Sequence, residues 1–344
     1  RMTIAADGTV DVVGTLDTNN LTIAGAQGSD GQVLTSTGSG VAWEDAGSGG
    51  ASDIDGLSDA KKGGTNFSNS MILGHETTGT LSSASDNTAV GIEAMDAITS
   101  GWANTIMGKS AGTSLTTGHN ATLIGKDAGK NVTTSAYTTM VGAGGGSVNT
   151  VTGNYNNSFG YNALRKLSSG HYNLAFGHNA LMEVNSASNN LGIGYHAGAE
   201  ITTGTRNLAI GHNALDLADT ENDNIAIGYD SLGGSVAGGE YNISIGNYAG
   251  DALTTADKTV LIGHNAGTAI TTMTGATLIG YQAGMTATTG TELTAVGYNA
   301  ARGIGGTNSS AAFGYEALFR RVLFRSIGRC EPSIRNNCDR LLGG

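Results

Sequence analysis

Residues 190–215 read NLGIGYHAGAEITTGTRNLAIGHNAL, and the second half of this stretch restarts the pattern of the first. In each half an Asn is followed by three apolar or small residues and then by a Gly, at Gly194 and at Gly211. The two glycines are 17 residues apart. The same step recurs along most of the chain, so a short internal repeat decides the fold class.

Fifteen glycines mark the repeat, and their successive spacings are 17 residues except for two spacings of 18. We call this Gly position 0 of each copy and number the other positions from it. Ten of these glycines are the predicted structural positions of the repeat: Gly91, Gly108, Gly125, Gly177, Gly194, Gly211, Gly228, Gly263, Gly280 and Gly297. The other five are Gly74, Gly142, Gly160, Gly246 and Gly314.

Each position of the repeat has its own residue preference. Position −1 is always large and apolar, position −2 is often small, and position −3 is often apolar or Thr, which predicts a short strand. Asn recurs at position −4, where it suits a turn or, stacked in register, a hydrogen-bonded ladder. Ala dominates position +3 and predicts a tight interior, whereas the apolar residue that often returns at position +7 indicates a second strand or face. The Gly itself suits a sharp corner.

A unit of 17 residues is too short for a helical repeat, which needs about 33 residues or more. One coil of two short strands and two corners fits this length. The sequence therefore predicts an all-β fold, a parallel β-solenoid or β-roll of about 15 coils, which stack at about 4.8 Å into a rod of roughly 70 Å. Because a single coil buries little surface, stability must come from stacking. A thin rod of this kind is also a candidate for association of several copies, which removes more apolar surface from water.

Three phrases resemble the head repeats of trimeric autotransporter adhesins: NNLGIGYHAGAEITTG (residues 189–204), RNLAIGHNAL (206–215) and NISIGNYAG (242–250). The segment GSDGQVLTSTGSGVAWED (28–45) looks like one that is common in phage tail-fibre proteins. The resemblance implies a left-handed roll, a homotrimer, location in a virion tail fibre, and binding of a host cell-surface receptor, either a glycan or an outer-membrane protein. The alternative is a bacterial surface adhesin head. The period departs from the adhesin family, which commonly uses about 14 residues.

Four segments are predicted from the repeat and from the composition. Residues 1–45 read as a short-stranded fibre segment, 46–70 as a Gly/Ser-rich linker, and 71–318 as the solenoid. Residues 319–344 break the pattern, and their run Arg321–Ser326 resembles the translation of a sequencing-library adapter. We therefore expect this tail to be non-native, the alternative being a cap of the solenoid.

Composition excludes several classes of protein. Gly accounts for 56 of 344 residues, but there is one Pro and no Gly-x-y triplet pattern, so the chain is not a collagen. Six Arg and two acidic residues follow Leu318, which leaves 26 acids and 11 bases before it, a net charge of −15. An acidic body argues against a nucleic-acid partner. No apolar run is long enough to span a membrane.

One column of side chains is the main candidate surface. Position +1 carries aromatic or His residues in most of the later copies, and we predict that they stack along one edge: Tyr161, His178, Tyr195, His212, Tyr229, His264, Tyr281 and Tyr298. A metal site shared by His178 and His212 is disfavoured because they lie two coils, roughly 10 Å, apart. No metal site and no cofactor are predicted. The acidic run Asp219–Asn224 could hold calcium but lacks the Gly and the distal Glu of an EF-hand loop.

Catalytic residues are not predicted. Glycoside cleavage needs two carboxyl groups about 5–9 Å apart, and the nearest pairs, Glu93 with Asp96 and Asp216 with Asp219, lie beside no substrate-binding cluster. We therefore expect the chain not to be an enzyme. Pairs of Thr such as Thr254–Thr255 leave an ice-binding β-solenoid as a weaker alternative, although adjacent Thr residues point to opposite sides of a strand.

Overall fold

In the computed structural model the chain is all-β, and its described part contains no helix. The structure describes residues 59–75, 78–305, 307–308 and 310–318, together with the backbone of six short strands before residue 46. The chain divides into two compact units, Arg1–Lys62 and Gly63–Gly344. The predicted tail, residues 319–344, and most of the predicted linker lie outside the described residues, so those boundaries stay predictions.

The first unit contains antiparallel strand pairs. Strand β1 (Met2–Ile4) pairs with β2 (Val10–Val12), β3 (Thr22–Ile23) with β4 (Ala26–Gln27), and β5 (Gln32–Ser36) with β6 (Val41–Asp45). The last strand of this unit is β7 (Ala60–Lys62). Short strands between turn residues are what the alternating sequence of this segment predicts.

The second unit is dominated by one parallel sheet, to which each copy of the repeat contributes one strand. The fifteen strands that the repeat supplies are β9 (Met71–Leu73), β11 (Thr88–Val90), β12 (Thr105–Met107), β13 (Thr122–Ile124), β14 (Thr139–Val141), β15 (Asn157–Phe159), β16 (Leu174–Phe176), β17 (Leu191–Ile193), β18 (Leu208–Ile210), β19 (Ile225–Ile227), β20 (Ile243–Ile245), β21 (Val260–Ile262), β22 (Thr277–Ile279), β24 (Thr294–Val296) and β26 (Ala311–Phe313). Two small parallel pairs accompany them, β8 (Phe67–Ser68) with β10 (Ala84–Ser85) and β23 (Gly290–Thr291) with β25 (Thr307–Asn308).

The register of this sheet follows the sequence repeat. Each residue pairs with its equivalent in the next copy, as Leu191 does with Leu208 and Ile193 with Ile210. The two 18-residue spacings do not disturb the register, since Val141 still pairs with Phe159. The unit is therefore a parallel β-solenoid of about 14 turns with coils of about 17 residues, which confirms the predicted fold class.

The position-0 glycines form the sharp corner that follows each strand. Gly211 has a φ of +137°, and a Cβ placed on it would lie 2.2 Å from the carbonyl oxygen of Gly228, its equivalent one coil later. The same contact recurs from Gly74 to Gly297 at 2.2 to 3.0 Å. Such a φ and such a close approach of two backbones permit only Gly, which is why this column does not vary.

The interior is narrow and built from few residue types. The Ala residues at position +3 are fully buried from Ala94 to Ala300, as the sequence predicts. The apolar residues at position +7, among them Leu115, Ile201 and Leu253, are also fully buried. They form a second inner wall opposite the strands.

The predicted second strand is absent from most of the coils that the structure describes. The backbone there runs through turns, with residues at positions +2 and +4 held at positive φ, as His196 and Leu215 show at 56° and 52°. A chain that enters the left-handed region twice in three residues cannot stay extended. Its amides still bond the next coil, as Gly198 N–H does to Ala214 O at 2.9 Å.

The Asn residues at position −4 form a buried ladder inside the solenoid. The side-chain amide of Asn173 donates to Oδ1 of Asn156 at 3.0 Å, and that of Asn190 donates to Oδ1 of Asn173 at 3.2 Å. Each Oδ1 also accepts a backbone N–H of the next coil, such as that of Asn207 at 2.9 Å from Asn190. The members are Asn87, Asn104, Asn156, Asn173, Asn190, Asn207, Asn224 and Asn242. The ladder satisfies polar groups that would otherwise be buried without partners.

Positions −2 and +4 share one volume of the core, and their sizes compensate each other. Where the strand centre is large, position +4 is Gly: Ile106 with Gly112, Leu123 with Gly129, Met140 with Gly146, Leu261 with Gly267, and Leu278 with Gly284. In other copies the strand centre is small and position +4 is large: Ala89 with Met95, Ser158 with Leu164, Ala175 with Leu181, Ala209 with Leu215, and Ala226 with Leu232. Three copies are small at both positions: Gly192 with Gly198, Ser244 with Gly250, and Ala295 with Ala301. A Cβ on Gly129 would lie 2.7 Å from the methyl groups of Leu123, so one large side chain fills the space.

Candidate functional site

The outer face of the parallel sheet carries two columns of uncharged side chains, apolar at every position −1 and apolar, Thr or Asn at position −3. Positions −1 and −3 point away from the core, because position −2 between them is the buried one in each of the fifteen strands. None of the thirty residues at these two positions is charged. Large side chains remain uncovered there, including Met107, Leu174, Phe176 and Phe313, which are 49, 39, 56 and 68% exposed.

The predicted Tyr/His column is a continuous stack of rings beside this face. Ring centroids are 5.2 Å apart from Tyr161 to His178 and from His178 to Tyr195, and 4.9 Å apart from Tyr195 to His212. His212 and Tyr229 follow at 5.1 Å. The column continues through His264, Tyr281, Tyr298 and Tyr315 at spacings of 5.1 to 5.5 Å. Most of these rings are stacked or tilted on one another, so their polar edges form an exposed row with the period of the coils.

Tyr248 belongs to this stack although it lies outside position +1. Position +1 of the second 18-residue copy is Asn247, and the following Tyr248 takes the ring position, 5.3 Å from Tyr229 and 6.1 Å from His264. A column read from positions alone misses it, because the ring has moved by one residue along the chain.

A second aromatic row begins earlier in the chain and precedes the strands. Trp102 stacks on His119 at 4.7 Å, His119 meets Tyr137 edge-on at 5.4 Å, and Tyr137, Tyr155 and Tyr172 follow at 5.0 Å intervals. The repeat does not reveal this row, because its rings shift from position −6 (Trp102 and His119) to position −5 (the three Tyr residues), so that no single position carries all of them. Tyr137, Tyr155 and Tyr172, which occupy position −5, have φ between 55° and 60°, and their side chains are exposed.

The carboxylates weighed for catalysis occupy structural positions. Glu93 accepts a hydrogen bond from the hydroxyl of Ser110 at 2.6 Å. Asp216 lies beside His196, with 3.7 Å between Oδ1 and Nδ1, and this oxygen is buried without a hydrogen-bond partner. Burial raises the pKa of Asp216, and His196 lowers it in part.

Cations have few candidate ligands in this surface. The ring of Tyr195 lies between His178 and His212, so these two imidazoles do not face each other. Among the described residues no group of three His, Cys, Asp or Glu side chains could hold a metal ion. In the acidic run, Glu221 turns inward and accepts the backbone N–H groups of Asp219 and Thr220 at 2.8 and 3.0 Å.

The Thr pairs bond the solenoid to itself. The first Thr of a pair donates its hydroxyl to a carbonyl of the next coil, as Thr116 does to Thr133 O at 3.1 Å and Thr254 to Thr271 O at 2.9 Å. A hydroxyl hydrogen that is used in a bond within the protein is not available to bind the water molecules of ice. The second Thr of each pair, such as Thr255, is exposed.

Comparisons with known proteins add no family to this description. No protein-family model, no curated protein and no solved structure matches the chain. No helix in the described part is long and apolar enough to cross a membrane.

Proposed function

We propose that the solenoid is a segment of a homotrimeric phage tail fibre, which contributes to attachment of the virion to a host-cell receptor and has no catalytic activity. The observation that carries this proposal is the uncovered apolar face of the parallel sheet. The receptor would be a surface glycan or an outer-membrane protein. A bacterial trimeric adhesin head is the second candidate, since its repeats show the same resemblance.

The size of the apolar face supports association. Strands of three residues span about 10 Å, and 14 steps of about 4.8 Å span about 67 Å, so the whole uncharged face covers roughly 700 Å². Both of its columns are apolar without interruption from Leu174 to Ile262, and in most of the other copies position −3 is Thr or Asn. Monomeric proteins seldom expose an apolar patch beyond about 300–600 Å². A face with a regular period is best covered by the same face of identical chains, because the periods then match from coil to coil.

The proposed number of three copies rests on the closed assembly that three copies would form and on the resemblance to trimeric autotransporter heads. Three rods that each turn this face towards a common axis form a closed assembly with every apolar face covered. Three copies also multiply weak receptor contacts, so modest single-site affinities give firm attachment.

Sedimentation equilibrium of the full chain tests the trimer. We expect the wild type to sediment with three times the mass of the chain, and Ile227→Lys, which places a charge in the centre of the apolar face, to sediment as a monomer. Thr255→Lys adds the same charge at an exposed turn position and is expected to remain trimeric. A monomeric wild type would overturn the proposal.

Attachment separates the two candidate functions. Fluorescently labelled protein is incubated with a panel of bacterial cells and with immobilised animal extracellular matrix. A tail fibre should bind bacterial cells of a restricted range, whereas an adhesin head should bind matrix. Neighbouring virion genes would support the former candidate, and binding to neither surface would contradict both.

A further inference from the structure

The regular surface of the solenoid is interrupted at one coil. Positions +1, +2 and +5 of the copy that starts at Gly142 are Ala143, Gly144 and Ser147, whereas the neighbouring copies carry long side chains there. The copy before has Lys126, Asp127 and Lys130, and the copy after has Tyr161, Asn162 and Arg165. These nine residues line a cleft of about 330 Å³. We call it the coil-142 cleft.

The absence of side chains in the middle coil makes the cleft. Its walls are two coil steps apart, about 9.6 Å at the usual strand spacing. The backbone beneath is ordinary solenoid: Gly144 N–H bonds Lys126 O at 3.1 Å, and Asn162 N–H bonds Ala143 O at 2.9 Å. The floor of the cleft is therefore fixed by hydrogen bonds between coils. The volume of the cleft lies at the small end of the range for ligand sites.

The cleft is positively charged although the solenoid is acidic. Lys126, Lys130 and Arg165 supply three positive charges and Asp127 one negative charge, a net of +2. Asp127 lies 3.9 Å from Lys126 Nζ and 3.8 Å from Lys130 Nζ, so it holds both lysines at the same wall. Arg165 on the opposite wall forms no ion pair with the residues that the structure describes. Its planar fork is free to bind an anionic oxygen pair.

The wall that carries Arg165 also presents the face of an aromatic ring and a neutral polar side chain. The ring of Tyr161 stacks on His178 on one side, and Ala143 leaves its other side without a stacking neighbour. Tyr161 is 54% exposed. The side-chain amide of Asn162 makes no hydrogen bond with the described residues, so it can donate and accept towards the cleft.

We propose that the coil-142 cleft binds one anionic sugar residue of a host-surface glycan. The anionic group would lie between Arg165 and the two lysines, the hydroxyls would meet Asn162 and Ser147, and the C–H face of the sugar ring would lie on Tyr161. This proposal rests on the proposed attachment function and names the receptor class for it. The acidic body repels polyanions at long range, so recognition depends on the local cations.

Fluorescence anisotropy of labelled trigalacturonate with the full chain tests the site. We expect saturable binding that weakens with added salt, and at least tenfold weaker binding of the same trisaccharide with its carboxyl groups reduced to alcohols. Inorganic phosphate is the competitor. If phosphate displaces the sugar at equal concentration, the cleft binds bare anions, and the assignment to a sugar is wrong. Competition by a sugar phosphate alone would identify the anionic group as phosphate.

One variant fills the cleft and a second removes its cation, and each has a matched control variant at another coil. Ala143→Tyr fills the cleft with the residue common at position +1, and Arg165→Gln removes the unpaired cation. We expect the first to abolish binding and the second to weaken it at least tenfold. Asn247→Tyr adds a ring at position +1 of another coil, and Arg302→Gln removes a charge from position +5 of another coil. Both should bind within twofold of the wild type. Equal losses in Arg302→Gln would mean that overall charge, rather than the cleft, drives binding.

The same variants separate this site from the attachment function. If the wild type attaches to cells and Ala143→Tyr attaches equally well, the fibre function stands and the cleft is not its receptor site. If the cleft binds the acidic sugar but the wild type attaches to no cell, the site stands without the fibre role. Circular dichroism of all four variants should match the wild type. An absence of binding to both trigalacturonate and sugar phosphates would overturn the proposal.

Discussion

At the scale of the residue, the position-0 glycines impose the strictest limit on sequence. Gly211→Ala would combine a φ of +137° with a Cβ 2.2 Å from a backbone oxygen. We expect it to lower the free energy of unfolding by about 3 kcal/mol or more, from backbone strain and overpacking together. Urea unfolding followed by circular dichroism measures this change.

Gly238→Ala is the matched control for that substitution. Gly238 has a φ of +96°, but a Cβ there would meet no atom within 4 Å. Its cost should be near 1 kcal/mol, the strain alone. Equal costs at Gly211 and Gly238 would show that the stacked backbones do not restrict the corner.

The Asn ladder gives a second prediction for single residues. Asn190→Ala removes the bonds to Asn173 and to Gly204 O at 2.8 Å, and it leaves the backbone N–H of Asn207 without its acceptor. Each buried group left unsatisfied costs about 1–3 kcal/mol. We therefore expect a loss of about 2–4 kcal/mol by urea unfolding. Asn179 lies outside the ladder, so Asn179→Ala should lower the free energy of unfolding by less.

Asp216 should make stability depend on pH. Burial raises its folded-state pKa above the ordinary value of 3.8, so the folded protein binds the proton more tightly than the unfolded chain does. Stability from this group is therefore present at low pH and is lost as pH rises through the folded pKa. Glu200 and Asp230 act in the same direction as burial, whereas His196 and His212 oppose it.

Asp216→Asn tests this dependence. We expect the variant to be more stable than the wild type at pH 7, and the difference to shrink as the pH falls towards 3.8. Urea midpoints across this range measure the effect. Asp257→Asn replaces a carboxylate that, unlike that of Asp216, accepts a backbone N–H, from Glu240 at 2.8 Å, and it serves as the control. A variant that is less stable than the wild type at pH 7 would contradict the prediction.

At the scale of the element, most coils fill the core with a large side chain at only one of two positions, −2 or +4. Leu215→Gly should cost about 2–5 kcal/mol by emptying the space beneath Ala209. Ala209→Leu alone should also destabilise the coil, because it adds volume to a filled space. The double variant reproduces the pairing of Leu261 with Gly267 and should recover most of the loss. A double-mutant cycle with additive costs would contradict the shared volume.

The strand of each coil could be predicted from sequence, but its orientation could not. Alternation at positions −3 to −1 gives an extended segment, and usual burial preferences would turn the larger Ile210 inward rather than Ala209. The structure does the reverse, because position +4 already occupies the interior in that coil. The compensation between positions six residues apart becomes visible only when the corner at Gly211 is known.

The opposite side of the coil shows a further limit of the sequence. The sequence predicts a second strand or face at Ile201 and its equivalents, but turns replace the strand in most of the described coils. The signal was present in residues such as Asn213, which tolerate positive φ. Leu215, which also adopts positive φ, gives no such signal. The sequence does not indicate the coil-142 cleft for a related reason. The cleft exists because Ala143 and Gly144 lack the long side chains of the neighbouring coils.

At the scale of the whole molecule, the stability of the solenoid should depend on association. If three copies cover the apolar faces, the midpoint of thermal unfolding rises with protein concentration, because assembly stabilises only the folded state. We expect this dependence for the wild type and its loss in Ile227→Lys. Differential scanning calorimetry over a hundredfold range of concentration measures it. A midpoint independent of concentration in the wild type would contradict the trimer.

The in-register pairing of Leu191 with Leu208, and of every strand with its equivalent, bears on how such a chain evolves. Because any coil presents the same edge to the next, recombination between two copies of the repeat deletes or duplicates a stretch of three times seventeen nucleotides without breaking the reading frame or the hydrogen bonding. Length is thus a heritable quantity that changes in whole steps, and related genes should differ in the number of copies more readily than in the sequence of any corner.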